Sequence, residues 1–288
     1  MSALSIKGLS KSYSTIKLQK VTALVGLDLS IASGEVFGFL GPNGAGKSTT
    51  IKSIMGLIKP TAGVVRIFDV QATDPTSRYR IGYLPENPSF FEFMTAREYL
   101  TFVGSTYGMD RASLQKESER ALELLDLTPA ADRHIRGYSK GMVQRLGLAQ
   151  TLVHDPDMYI LDEPMSGLDP IGRALVKDII LDLKQRGKTV FFSTHITADV
   201  EAVCDRVGVI AKGVLEAVDT VDNILEKGII GYIIRFCTPD RPDEEKHVSR
   251  EELDAAVRQL LETKAVIRSI EPKRKDMESF FLSVVSKS

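Results

Sequence analysis

One nine-residue stretch carries the residue types that together hold phosphate. Gly41-Pro42-Asn43-Gly44-Ala45-Gly46-Lys47-Ser48-Thr49 fits G-x-x-x-x-G-K-[ST]. It follows the apolar run Val36 to Leu40 and leads into a helical pattern from Thr50 to Leu57. Glycine lets the backbone curl until successive N–H groups face one centre, a concave nest for phosphate oxygens. The helix that follows aims its positive dipole end at the same point. Lys47 adds a mobile point charge for the β- and γ-phosphates, and Ser48 offers a hydroxyl to a magnesium ion. An ordinary glycine-rich turn would not need Lys and Ser in these places. The stretch therefore predicts binding of a nucleoside triphosphate.

A second set of residues completes such a site. Met158-Tyr159-Ile160-Leu161-Asp162-Glu163 is a buried-type strand ending in two carboxylates. Asp162 is placed to hold the metal, directly or through water, and Glu163 is the candidate general base for an attacking water. The run Thr189 to Ser193 ends at Thr194-His195. A strand there would lie parallel to the two nucleotide-bearing strands, whose carboxyl ends are where ligands collect in open α/β sheets. His195 then reads as a γ-phosphate sensor. Tyr13 fits two roles on position alone, stacking on a purine base or packing against a sheet.

The elements that must position these residues follow from periodicity. Leu4 to Ser12 and Val21 to Ile31 alternate as antiparallel strands around a polar loop, Ser14 to Lys20. Val64 to Asp69 and Ile81 to Leu84 are further short strands. Ala96 to Tyr107, Arg111 to Leu125 and Lys140 to Val153 repeat apolar residues at three and four, so residues 87–155 read as an all-helical insertion. Beyond the helix Ile171 to Gln185, a hairpin turns around Lys212-Gly213 and a short helix covers Thr220 to Lys227. A distinct tail follows: strand Tyr232 to Phe236, surface loop Thr238 to His247, helix Arg250 to Glu262, strand Ala265 to Glu271 and helix Met277 to Val285. Met277, Phe280, Phe281 and Val284 share one face of that last helix and need a partner surface.

Composition narrows the class. At 288 residues the chain can bury one large core and carry an appendage. A formal net charge of −1 gives no global basic field, so nucleic acid is not the expected partner. Cys204 and Cys237 match no metal spacing and read as free thiols of a reducing cytoplasm. No signal pattern opens the sequence, and no apolar run reaches the ~20 residues that span a bilayer. Any membrane role would need another polypeptide to do the spanning.

Glu86, the segment Tyr138-Ser139-Lys140-Gly141-Met142, and His195 join the phosphate loop to form a set that resembles the ATP-binding subunit of ABC transporters. The likeness covers Leu4 to Val218. It implies an α/β fold, a P-loop NTPase of ABC type. The expected parts are a mixed β-region, a RecA-like core, an all-helical subdomain and a small α+β C-terminal extension. The expected division is 1–228 for the ATPase domain and 229–288 for the extension. The resemblance makes Tyr13 the base-stacking aromatic, Gly41 to Thr49 the Walker A loop and Ser166 to Asp169 a loop crossing a dimer interface. It gives ATP and Mg2+ as cofactors, with Ser48, Asp162 and Glu86 toward the metal and Glu163, His195 and Glu86 toward catalysis. Ser139 and Gly141 would bind the γ-phosphate held by a second subunit, so two ATP molecules are sandwiched head to tail.

Two departures stand out. The family's usual signature is Leu-Ser-Gly-Gly-Gln, but Lys140 replaces a Gly and Met142 replaces the Gln; the Ser and second Gly remain. Glu86 stands where Gln is usual. Both look like a bacterial subset serving exporters with separate permease chains, as does the run Lys275 to Leu282. The expected partners are a second ATPase subunit, as a homodimer, and an integral membrane permease. The expected location is cytoplasmic, peripheral on the inner face of the cell membrane. Phe90, Phe91 and Phe93 suit either a permease groove or internal packing. A soluble ATPase of cofactor assembly is the alternative function.

Overall fold

The computed structural model describes residues 2–14, 20–238, 241–263, 265–274 and 277–286. Most of the loop expected at Ser14 to Lys20, and Lys275 and Asp276 of the tail, lie outside them. The chain forms two compact units, residues 1–218 and 219–287.

In the first unit β1 (Ser2–Ser14) and β2 (Lys20–Ala32) pair antiparallel. Next come β3 (Val36–Leu40), α1 (Lys47–Ile54), β4 (Ala62–Ile67), the two-residue β5 (Val70–Gln71) and β6 (Ile81–Leu84). Three helices follow: α2 (Ala96–Thr106), α3 (Arg111–Leu124) and α4 (Lys140–Leu152). The unit continues through β7 (Met158–Asp162), α5 (Pro170–Gln185), β8 (Thr189–Thr194), α6 (Thr197–Val203), β9 (Arg206–Ala211) and β10 (Val214–Thr220).

These strands make two sheets, ordered β2-β1-β4-β5 and β10-β9-β3-β8-β7-β6. The pairings of β3 with β8 and β9, and of β7 with β6 and β8, are parallel. Strands β3, β7 and β8 are buried along their whole length, as parallel strands covered on both faces must be. Leu4, Ile6, Leu24 and Leu27 of the first sheet share a core with Phe37, Phe39, Ile51, Ile160 and Phe191. The phosphate loop's own helix is thus clamped between the sheets.

The helical segment attaches by close approach. On β6, a Cβ added to Gly82 would lie 2.7 Å from the Thr151 carbonyl oxygen of α4. Helix α2 starts at a capping box, where Thr95 accepts from Glu98 N–H and Glu98 reaches back to the Thr95 amide.

In the second unit, α7 (Val221–Lys227) precedes β11 (Ile229–Thr238), β12 (Arg241–Val248), α8 (Leu253–Glu262), β13 (Val266–Arg274) and α9 (Met277–Val285). The sheet order is β12-β11-β13, both pairings antiparallel. Residues 241–247 of the surface loop expected at Thr238 to His247 instead form a strand with Val248. Their charged composition reads as loop, yet an edge strand accepts charge along its length and gains from it. Arg235 of β11 reaches Glu245 of β12 at 2.9 Å and Glu271 of β13 at 3.2 Å. On the other face Ile234, Phe236 and Val248 pack with Ala256 and Leu260 of α8. Met277 of α9 is fully buried, and α9 packs against α7.

Replacing Gly82 by Ala forces backbone to move at the β6–α4 contact. The expected loss is about 1–3 kcal/mol, by analogy with overpacked cores, read as a lower urea midpoint with unchanged slope.

Candidate functional site

The phosphate loop begins where β3 ends. Gly41 N–H donates to the Thr194 carbonyl at 3.2 Å, tying the loop to the end of β8. Gly46 has φ +112°, and a Cβ there would stand 2.9 Å from the Ala23 carbonyl oxygen, so only glycine fits. Helix α1 starts at Lys47, so its unpaired N–H groups open on the loop. Gly44, Lys47, Ser48 and Thr49 line an open pocket of about 280 Å³, with Ala23, Glu86 and Glu163 at its sides. Glu86 reaches it from the exposed loop after β6.

Lys47 is 6% exposed, and its ammonium donates to the Gly41 carbonyl at 2.7 Å. It also lies 3.2 Å from Glu163 Oε1, a buried ion pair linking the phosphate loop to the end of β7. The other side of the Glu163 carboxylate meets His195 Nδ1 at 3.0 Å. Glu163 itself has φ +49°, a left-handed conformation that costs a non-glycine residue on the order of 1 kcal/mol or more.

Ser193 holds that turn. Its hydroxyl donates to Asp162 Oδ1 at 2.6 Å and accepts the Glu163 N–H at 3.0 Å. From α4, Gln144 Nε2 donates to the carbonyls of Glu163 and Pro164 at 3.3 and 3.2 Å. Burial pushes the Asp162 carboxyl above the ordinary carboxylate range, against hydrogen bonds from Ser193 and Ser48 that pull it down. The folded chain therefore holds that proton more tightly than the unfolded one. Stability falls as pH rises from the unfolded value to the folded one, and above that window the fold carries the cost of a buried charge. A cation beside Asp162 would offset this cost.

Among the described residues no three His, Cys, Asp or Glu side chains form a metal cluster. The oxygens at hand are the Ser48 hydroxyl and the Asp162 carboxylate, joined by a hydrogen bond, with Glu86 across the pocket. That donor set suits magnesium, which takes one or two protein oxygens and fills its shell with phosphate and water.

A protein-family model described as ABC transporter matches residues 24–166. An ABC transporter ATP-binding protein of Bacillus subtilis is 33% identical, covering 93% of this chain and 92% of that protein. The chain belongs to the ABC transporter family of ATP-binding proteins. A fluoroquinolones export ATP-binding protein of Mycobacterium tuberculosis is 39% identical, over 69% of this chain and 65% of that protein. The chain spans 56% and 62% of the length of two cyanobacterial relatives that it matches at 46% and 44% identity. Among solved structures, a dimeric ATP-binding cassette in a post-hydrolysis state with ADP and Pi superposes with TM-score 0.70. It is 25% identical and covers 76% of this chain and 98% of its own.

Within one cassette the sequence-predicted residues fall into two groups. Gly41 to Thr49, Glu86, Asp162, Glu163 and His195 converge on one pocket and its floor. Ser139 and Gly141 do not line it. Ser139 is the N-cap of α4, accepting the Met142 N–H at 3.3 Å, and its side chain is exposed. Gly141 has only ordinary contacts at 3.6 Å and beyond, toward Leu168 and Gly167. Tyr13 also stands apart from the pocket lining, near the end of β1, with Lys11 Nζ 4.9 Å from its ring centre.

Sequence reasoning missed Ser193 and Gln144. The signal for Ser193 was a hydroxyl directly after the apolar run Val190 to Phe192 of a fully buried strand. Gln144 had the matching signal, a polar residue on the buried face of α4. Replacing Ser193 by Ala leaves the Glu163 N–H and the Asp162 carboxylate each one partner short. The expected destabilisation is about 1–3 kcal/mol, measured by urea denaturation, and Ser193→Thr should recover part of it.

Proposed function

We propose that this chain binds and hydrolyses ATP as the motor subunit of a membrane transporter. The observation that carries the reading is the Lys47–Glu163–His195 arrangement beside the phosphate loop. Backbone N–H groups from Gly44 to Thr49 and the Lys47 ammonium hold the β- and γ-phosphates. Ser48 and Asp162 would hold a magnesium ion, with Glu86 facing the same space; when bound it would supply charge neutralisation.

Glu163 accepts a proton from the attacking water, and His195, bonded through Nδ1, fixes the direction of that carboxylate. A phosphate oxygen that engages Lys47 competes with Glu163 for the same ammonium. Substrate binding therefore loosens the base from its buried partner and leaves it oriented by His195. Tyr13 stacks on the base at the rim.

Ser139, exposed, and Gly141, half-buried, both lie outside the pocket of their own chain and serve the nucleotide of a second copy. Closure on two ATP molecules is favoured because γ-phosphate contacts exist only in the closed pair. The solved post-hydrolysis dimer supports this reading. Asp169 caps α5 through the Gly172 N–H, so the Ser166 to Asp169 loop is held firmly where a partner would meet it.

Among the described residues no helix is long and apolar enough to cross a membrane, so a permease is the proposed partner. Phe90 turns inward against Tyr99, ring centres 4.8 Å apart. Phe91 and Phe93 remain 50% and 72% exposed, and Phe91 packs edge-on to the exposed Phe102. That aromatic surface suits the coupling segment of a permease on the inner face of the cell membrane. Export is the proposed direction, supported by the signature variants at Lys140 and Met142 and by the likeness to the mycobacterial fluoroquinolones export ATP-binding protein.

Phosphate release should be measured with Glu163→Gln, which keeps every phosphate contact and loses the base. Turnover should fall by at least about a hundredfold while ATP and magnesium hold the variant as a dimer on gel filtration; a monomer at saturating ATP overturns the sandwich. Lys47→Ala should weaken ATP binding by about 1.5–3 kcal/mol for each charged hydrogen bond removed, read by equilibrium titration. Phe91→Ser with Phe93→Ser should abolish co-purification of an integral membrane protein and leave ATP affinity unchanged.

A further inference from the structure

A second cavity, of about 260 Å³, lies between α3 and α5, on the side of the parallel sheet away from the first sheet. It is close to the lower end of the range for small-molecule pockets, about 300 Å³. Its walls come from stripes at helical spacing. Ala121 and Leu124 of α3, with Leu152 of α4, face Leu175, Ile179 and Leu183 of α5. Leu124 is 40% exposed, so its apolar surface opens on this cleft without being closed over. Among the described residues no ion pair or side-chain hydrogen bond joins α3 to α5.

The rim is polar and unevenly charged. Glu117, Asp155, Asp178 and Asp182 supply four carboxylates, and Arg120 and Arg186 two guanidinium groups. Three of the acids are matched. Glu117 lies 3.5 Å from Arg120, Asp182 lies 3.6 Å from Arg186, and Asp155 meets Arg186 and Lys188. Asp178, exposed on α5, makes no ion pair among the described residues.

We propose that this cleft is a binding site for a small organic cation with an apolar body. The hydrocarbon part lies between Leu124 and Ile179, and the ammonium sits over Asp178. The occupant bridges α3 to α5, which nothing else bonds together. An anion of the same shape would meet the surplus carboxylate and be disfavoured. The site is independent of nucleotide chemistry, and its test does not use hydrolysis.

Three probes of one shape separate charge from burial: 4-phenylbutylammonium, 4-phenylbutanol and 4-phenylbutyrate. Each is titrated into the full chain, with methyl NMR signals of Leu124, Leu175, Ile179 and Leu183 as the readout. The ammonium is expected to shift these methyls and to bind about two- to fivefold tighter than the alcohol, the range of one exposed charge pair. The carboxylate binds weakest. Asp178→Asn brings ammonium and alcohol to equal affinity. Leu124→Trp, at a half-open position that tolerates bulk, fills the cleft and lowers ammonium affinity more than tenfold. Equal affinity of all three probes for the unaltered chain overturns the proposal. So does ammonium binding that survives Leu124→Trp, or shifts that fall outside these four methyls.

Discussion

Everything at the nucleotide site depends on where β8 lies. It sits between β3, which feeds the phosphate loop, and β7, which ends in the two carboxylates. In parallel register Leu40 stands beside Thr194, and Asp162 beside Ser193. Three strands therefore stop at one level, and each delivers a different function there. The Thr194 carbonyl holds the Gly41 amide, Ser193 holds Asp162 and Glu163, and His195 is carried one residue beyond. A slip of one residue in this register would separate the hydroxyl from both partners and turn it to the opposite face. Full burial on both faces is what fixes the register.

The sequence made much of this legible because the chemistry is local. The phosphate loop, the apolar strand ending in Asp162 and Glu163, and the helix opened by Ser139 each announce themselves within a dozen residues. The ABC-type α/β fold was implied by the resemblance that these motifs carry together with Glu86 and His195. What sequence could not carry was partnership across the sheet. Nothing within sight of Ser193 indicates that it bridges two residues thirty positions away. Gln144 likewise reads as a polar helix residue until the turn after Glu163 is laid against it. Residues 241–247 failed for a different reason. Glu245 among them is paired in space with Arg235, and composition alone cannot distinguish a solvated loop from a charged edge strand.

The aromatic cluster shows how structure divides what sequence leaves together. Phe90, Phe91 and Phe93 looked like one feature with two competing explanations. The inward Phe90 has a packing role, while the outward pair adds Phe102 from the next helix to form a continuous surface. Internal packing accounts for Phe90, while the exposed pair is the part that the proposed permease groove would cover. The second unit divides similarly, with α8 covering one face of its sheet and paired charges on the other.

The left-handed backbone at Glu163 has a consequence for how this position can vary. Glycine would relieve the conformation and retain the amide bond to Ser193, yet it would also remove the partner of both Lys47 and His195 in a single step. Lys47 would then be a buried ammonium without its carboxylate, and breaking a buried pair costs about 3–5 kcal/mol, more than the strain relieved. The strained turn and the acidic side chain are therefore retained together, because relaxing the backbone at this position undoes the charge balance beside the phosphate loop.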